Sequence, residues 1–167
     1  MTKKKSTQDR TALAYWQEKY PEKFAAEKDI FEHIHPGSHV FMGTACGKPR
    51  YLVDALLTYI GKQPQAAAGA GSIFTWNLGV SPFADKDPGH HVKQQAFFVG
   101  HGNREAVNSG EADYTPIFLS RVPQLLNSKR VAVDVAFVQT SLPDENGYVS
   151  LGVSVDITMA AVKNAVK

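Results

Sequence analysis

Cysteine is nearly missing from this 167-residue chain: Cys46 stands alone. One thiol closes no internal disulfide framework and fits a reducing compartment, so the expected setting is cytoplasmic. Long hydrophobic runs are missing as well. No stretch approaches the roughly 18 apolar residues of a membrane span. The basic amino terminus has no apolar segment behind it of the kind a secretory signal carries. Charge of one sign is scarce: the net charge is +2, and Lys3-Lys4-Lys5 supplies more than all of it. The body of the chain is therefore about neutral, without the basic footprint of a nucleic-acid binder. Neither a membrane nor a nucleic acid is an expected partner.

Complete glycine fingerprints are absent too. Gly43 to Lys48 is not a P-loop, because its glycines are one residue too close and Pro49 stands where a Ser or Thr would bind magnesium. Gly100-His101-Gly102 opens like a dinucleotide-binding turn, but Glu105 occupies the place of the third glycine. A kinase or dehydrogenase nucleotide domain is disfavoured on both counts. His33, His35, His39, His90 and His91 have no companion set of carboxylates or cysteines at ligand spacing. His33 and His35 lie two apart and do not share a helix face, so no metal is expected.

What remains is ordinary globular material, with 43% hydrophobic and 20% charged residues, enough for one domain with a real core. Residues 1–9 read as a disordered polar tail and 10–167 as a single domain. Thr11–Lys19 and Glu22–His35 read as helices broken at Tyr20-Pro21. His39–Met42 reads as a strand, and Pro49 opens a helix that Gly61 and Pro64 end. Further strands are expected at Ser72–Trp76, Ala96–Val99 and Tyr114–Phe118, with a polar loop over Ser81–Lys93. Short helices are expected from Asn103, as cap, to Gly110 and over Leu119–Asn127, the latter interrupted by Pro123. Val131–Val138 is β-branched and apolar on both faces except at Asp134, the pattern of a central parallel strand. Strands alternating with helices predict an α/β fold, a largely parallel open sheet with flanking helices. Ile157–Lys167 reads as an apolar helix running without a stop to the last residue, and a piece of a longer protein is the expectation drawn from that.

Two loops are candidate sites. Gly43-Thr44-Ala45-Cys46-Gly47-Lys48 lies between strand and helix, where small residues admit a ligand to the backbone and the helix start favours anions. It reads equally as a tight strand-to-helix turn, and Cys46 as a small hydrophobe. Asp144-Glu145-Asn146-Gly147 follows the Val131–Val138 strand and reads as a type I′-like turn, with Asn-Gly supplying positive φ. Its carboxylates also lie at the sheet edge where α/β proteins bind ligands. His101, near a strand end, reads as a cleft residue or as a solvated loop histidine.

Several stretches together resemble the acetyl-CoA hydrolase/transferase family of CoA-transferases. They are Ile34–Val40, Gly43–Pro49 leading into Leu52–Leu56, Asn103–Val107, Gly110–Ser120, Val133–Ala136 and, most specific, Ser141–Gly152. The resemblance covers roughly residues 30–167. It implies two similar α/β domains with coenzyme A, as substrate, in the cleft between them. It also implies a catalytic glutamate in the second domain, which attacks the acyl-CoA thioester to give an acyl-glutamyl anhydride and then an enzyme-bound CoA thioester. Backbone N–H groups stabilise the oxyanion. A short-chain carboxylate acceptor gives a transferase, and water a hydrolase. The motif bearing that glutamate is absent from this chain. The chain is therefore expected to act as an amino-terminal half, inactive alone, with a carboxy-terminal domain and further copies of itself as partners. By resemblance, Gly43, Thr44, Ala45, Cys46, Gly47, His101, Asn103, Asp144, Glu145, Gly147, Ser150 and Gly152 line the cleft. Glu145-Asn146-Gly147 mimics the nucleophile motif of the 3-oxoacid CoA-transferases, but Leu142-Pro143-Asp144 replaces the glycine-rich approach, so Glu145 is the less favoured nucleophile. The reading from another class is a non-catalytic CoA- or acyl-ligand-binding module of the same fold.

Overall fold

The computed structural model describes residues 7–62, 73–77 and 92–167. Helix α1 (Thr7–Lys19) leads through a 3-10 turn at Pro21–Lys23 to a short α2 (Glu27–Phe31). Strand β1 (His39–Met42) is followed by a 3-10 turn (Ala45–Gly47) and α3 (Arg50–Lys62). Then come β2 (Ile73–Asn77), β3 (Val92–Ala96), α4 (Arg104–Ser109) and β4 (Ala112–Tyr114). A 3-10 turn (Leu119–Arg121), α5 (Val122–Asn127), β5 (Val135–Phe137) and α6 (Thr158–Asn164) complete the order.

The five strands form one sheet in the order β4-β3-β2-β1-β5, and every pairing is parallel. The expected largely parallel α/β sheet is thus present, with helices on both faces. Val40 and Met42 of β1, Val92 of β3, and Val135 and Phe137 of β5 pack against Phe31, Ile34 and the α3 row Val53, Leu56 and Ile60. That α3 spacing of three and four residues puts all three side chains on one face. Phe41, Trp76 and Phe97 meet Val122 and Leu126 of α5 and Ala161 of α6 on the other side. Trp76 and Phe97 stack at 4.8 Å between centroids, and the Trp76 indole N–H donates to the Ala132 carbonyl.

Several expected boundaries shift. Helix α1 starts at Thr7, inside the expected tail, and residues 1–6 lie outside the described ones. Glu22–His35 is not one helix: Phe24 and Ala26 are extended, which leaves a 3-10 turn and α2 apart. Helix α3 runs through Gly61 to Lys62, and Pro64 lies outside the described residues. The strand expected at Ala96–Val99 lies instead at Val92–Ala96, so Val92 and Lys93 leave the expected loop. The strand expected over Tyr114–Phe118 ends at Tyr114. Pro123 sits in the first turn of α5, where its missing N–H costs nothing, and does not interrupt it.

The largest correction concerns Val131–Val138. Only Val135–Phe137 is strand, and it lies at the sheet edge beyond β1. The apolar run is explained by Val133 and Val131 packing into the second core as irregular chain before the strand begins. The carboxy-terminal helix is corrected as well. It stops at Asn164, whose amide donates to the Ala160 carbonyl and to Asn127 Oδ1. Residues 166 and 167 then lie along β5: both N–H groups donate to the Asp134 carbonyl, and Ala136 N–H donates to the Lys167 carbonyl. Among the described residues no helix is long and apolar enough to cross a membrane.

Candidate functional site

Gly43 opens a loop at the carboxyl end of β1, and its N–H donates to the Phe137 carbonyl of β5 at 3.0 Å. The loop then folds back on itself. Gly47 N–H donates to the Thr44 carbonyl and Lys48 N–H to that of Ala45, closing a 3-10 turn. A Cβ on Gly43 would stand 2.5 Å from the Gly47 carbonyl oxygen, so only glycine fits there. Ala45 takes φ of 50°, a left-handed conformation that costs a non-glycine residue about 1–2 kcal/mol. Gly47 backs onto the Ser154 carbonyl, and Cys46 is left exposed on the rim. Pro49 and α3 follow, with the Val53 N–H bonded to the Pro49 carbonyl.

The other wall comes from the chain after β5. Val138, Gln139 and Thr140 face Ala45, Cys46, Lys48, Arg50 and Tyr51 across a cavity of about 640 Å³. On the far side of Cys46, a second cavity of about 290 Å³ is bounded by Gly47, Gln139–Ser141 and Ser150–Val153. The hairpin that closes it is held by Ser141. Ser141 N–H donates to the Ser150 carbonyl, and its Oγ accepts from Ser150 N–H. At the tip Asp144 Oδ1 accepts from the N–H groups of Asn146 and Tyr148. A type I′ turn needs positive φ at both central residues. Here Gly147 alone of the four has it, at 84°, and its N–H donates to the Asp144 carbonyl, so the I′ assignment is corrected. Gly147 packs against Trp16 of α1, beside a third, more apolar cavity of about 540 Å³ lined by Trp16, Tyr20, Phe24, Leu142 and Val149. Near it, Lys19 donates to the Tyr15 hydroxyl, which holds its ammonium above the usual lysine range.

The expected site residues therefore divide. Ala45, Cys46, Gly47, Ser150 and Gly152 gather around the paired cavities, with Gly43 and Thr44 beneath them. Glu145 is exposed on the hairpin tip and makes no hydrogen bond or ion pair with a described residue, and neither it nor Asp144 lines these cavities. His101 is exposed and Asn103 is buried, both past the carboxyl end of β3, which β2 separates from β1. Asn103 does not cap α4 through its side chain. Its Oδ1 accepts from Gly100 N–H and its amide donates to the Phe98 carbonyl, which fixes the turn. Lys48 closes the expected candidate loop, whereas Arg50, Tyr51, Gln139 and Thr140 were not singled out by the sequence. The run Lys48-Pro49-Arg50-Tyr51 at a helix start was the signal available.

No carboxylate and no imidazole stands among the described residues lining the two cavities. The arrangement can hold an anionic or polar ligand, and it lacks the paired groups of acid–base or nucleophilic catalysis. His39 stacks on Trp76 inside the fold, and His90 and His91 lie outside the described residues. Among the described residues no three potential metal ligands converge.

Residues 2–167 match the acetyl-CoA hydrolase/transferase N-terminal domain family. The chain is 39% identical over 150 residues to a 4-hydroxybutyrate coenzyme A transferase of Clostridium kluyveri, covering 90% of this chain and 34% of that protein. It is 34% identical over 147 residues to a succinyl-CoA:acetate/propanoyl-CoA:succinate CoA transferase of Fasciola hepatica, covering 88% and 30%. Among solved structures, a 4-hydroxybutyrate CoA-transferase from Porphyromonas gingivalis superposes with a TM-score of 0.56 at 25% identity, covering 90% of this chain and 33% of that one. The chain thus spans about a third of the length of the curated relatives it matches.

Proposed function

The chain belongs to the acetyl-CoA hydrolase/transferase N-terminal domain family, and from that premise we propose that it forms one wall of the acyl-CoA cleft of a CoA-transferase or acyl-CoA hydrolase. The observation that carries this reading is the Gly43–Lys48 loop, wedged between two cavities that no carboxylate and no imidazole lines among the described residues. A wall of that kind binds and positions substrate while another part of the enzyme reacts with it.

The reaction we propose is transfer of CoA between short-chain carboxylic acids. A glutamate outside residues 1–167 attacks the thioester carbonyl, expels CoA thiolate and forms an acyl-glutamyl anhydride. The thiolate then attacks the glutamyl carbonyl and releases the first carboxylate, leaving a glutamyl-CoA thioester. A second carboxylate reverses these steps, and water in its place gives hydrolysis. Gly43, Thr44, Ala45, Cys46, Gly47, Ser150 and Gly152 border the cleft. Asp144, Glu145, Gly147, His101 and Asn103, which lie apart from it here, act at most on its margin. The exposed Tyr148, Val149, Val153 and Val155 offer apolar surface on which a carboxy-terminal domain closes. Coenzyme A serves as substrate, with no resident metal, in the cytoplasm, where a free Cys46 thiol persists.

The test is exchange of CoA between labelled acetate and a short-chain acyl-CoA by the full gene product, with and without Gly43→Ala. Exchange by the parent and loss in the variant is the expected result. A parent that binds acyl-CoA tightly, yet neither transfers nor hydrolyses it, would overturn the enzymatic reading.

A further inference from the structure

Neither core explains the burial of Trp16. It is 6% exposed, and it alone is buried among residues 13–19 of α1, yet it packs in neither core cluster. Its neighbours fix the ring. Tyr15 meets it edge-on at 5.2 Å, Tyr20 stacks on it at 5.5 Å, and the Lys19 ammonium lies 5.2 Å from the ring centroid. The far edge of the indole then meets the hairpin. Among the described residues, the only atoms within 4 Å of a Cβ placed on Gly147 are Trp16 Cη2 and Cζ3, at 3.7 and 3.9 Å.

The hairpin needs such a support. None of residues 141–150 is buried, and only Pro143 is half-buried. Their hydrogen bonds all run within 140–152, and among the described residues no ion pair ties them to another element. Ser141 and Asp144 therefore give the hairpin an internal shape, and no polar contact fixes the direction in which it points. Packing against α1 sets that direction, across the apolar cavity that Leu13, Trp16, Tyr20 and Leu142 help to line. The same hairpin places Ser150 and Gly152 beside Cys46 and Gly47 around the smaller cavity. We propose that Trp16 is a positioning residue for the substrate cleft. It lines neither cavity beside the Cys46 loop and acts through Gly147, holding the hairpin so that Ser150 and Gly152 close on that loop. The assignment rests on the CoA-transferase reading above for the ligand, and on packing alone for the support of the hairpin.

Trp16→Ala and Trp16→Phe in the full gene product test it. The phenyl ring stops short of Gly147, because the contact atoms lie on the far edge of the indole. In Trp16→Ala, hydrogen exchange read by mass spectrometry should speed about tenfold across 141–152 and stay within about twofold in β1 and α3. KM for acyl-CoA should rise about tenfold while kcat holds within about twofold, and Trp16→Phe should raise KM about threefold. A role in stability alone would lower the folded fraction, and with it kcat, at unchanged KM. That result overturns the proposal, as does unchanged exchange in the hairpin. If Trp16→Ala does not fold, the Trp16→Phe values decide by the same criteria. In a parent without CoA exchange, acyl-CoA binding by calorimetry replaces KM. Faster hairpin exchange with weaker binding there keeps the positioning role and refutes the transferase reading instead.

Discussion

Gly43→Ala is the sharpest perturbation the site allows. The added methyl would lie 2.5 Å from the Gly47 carbonyl oxygen and 3.3 Å from its carbon, both backbone atoms with no flexible side chain to swing away. The turn would have to open by roughly 0.5–1 Å to restore a van der Waals separation. Overpacking of this kind costs about 1–3 kcal/mol. Opening also strains the bonds that seat the loop, Gly43 N–H to Phe137 and Gly47 N–H to Thr44, and losing one adds about 1 kcal/mol. A total of about 2–4 kcal/mol corresponds to a drop in Tm of roughly 5–15 °C for a domain of this size. Scanning calorimetry of the full gene product reads it, with Gly61→Ala as comparison. Gly61 lies inside α3 with nothing within 4 Å of a new Cβ, so alanine there should stabilise by about 0.5–1 kcal/mol. A Gly43→Ala protein that melts within about 2 °C of the parent would refute the steric argument.

Other substitutions test other parts of the account. Asn103→Ala should lower stability by about 1–2 kcal/mol in urea titration, because it removes the buried side chain that bonds the Gly100 N–H and the Phe98 carbonyl in a part-buried turn, while leaving KM for acyl-CoA unchanged. Gly110→Ala places alanine at φ of 80° behind α4 and should cost about 1 kcal/mol, a loss visible in the same titration. Asp134→Ala removes the carboxylate that accepts from His39 N–H at 2.7 Å and should destabilise by roughly 1–2 kcal/mol, read as a lower urea midpoint. Glu145→Gln should change neither stability, within about 0.5 kcal/mol, nor the exchange rate, since that side chain is exposed and unbonded.

The sequence made some of this legible and hid the rest for identifiable reasons. The unit from His39 through the loop to α3 could be read directly, because Val53, Leu56 and Ile60 keep helical spacing and Pro49 marks the start. Strand β3 was hidden by its composition. Val92-Lys93-Gln94-Gln95-Ala96 is polar enough to pass for loop, although its burial alternates as a strand's does. Buried Gln94 and half-buried Gln95 give no apolar signal at all. Val131–Val138 misled in the opposite sense: Val131 and Val133 are apolar because they fill the space beneath α5 and α6, while strand pairing starts only at Val135. The Gly43–Gly47 loop was visible as a glycine pair, and its reason, a 2.5 Å approach of backbone to backbone, needed three dimensions. Glu145 and Cys46 lie ninety-nine residues apart, and nothing local shows that a hairpin resting on Trp16 would carry the one away from the other.

The central claim is that this domain shapes the CoA cleft while the nucleophilic glutamate lies elsewhere. Mass mapping of the trapped intermediate tests it most directly. The full gene product is loaded with acyl-CoA without acceptor, the covalent thioester is reduced with borohydride, and the modified peptide is located. The account predicts a modified glutamate outside residues 1–167, with Glu145 untouched. Modification of Glu145 itself would contradict it.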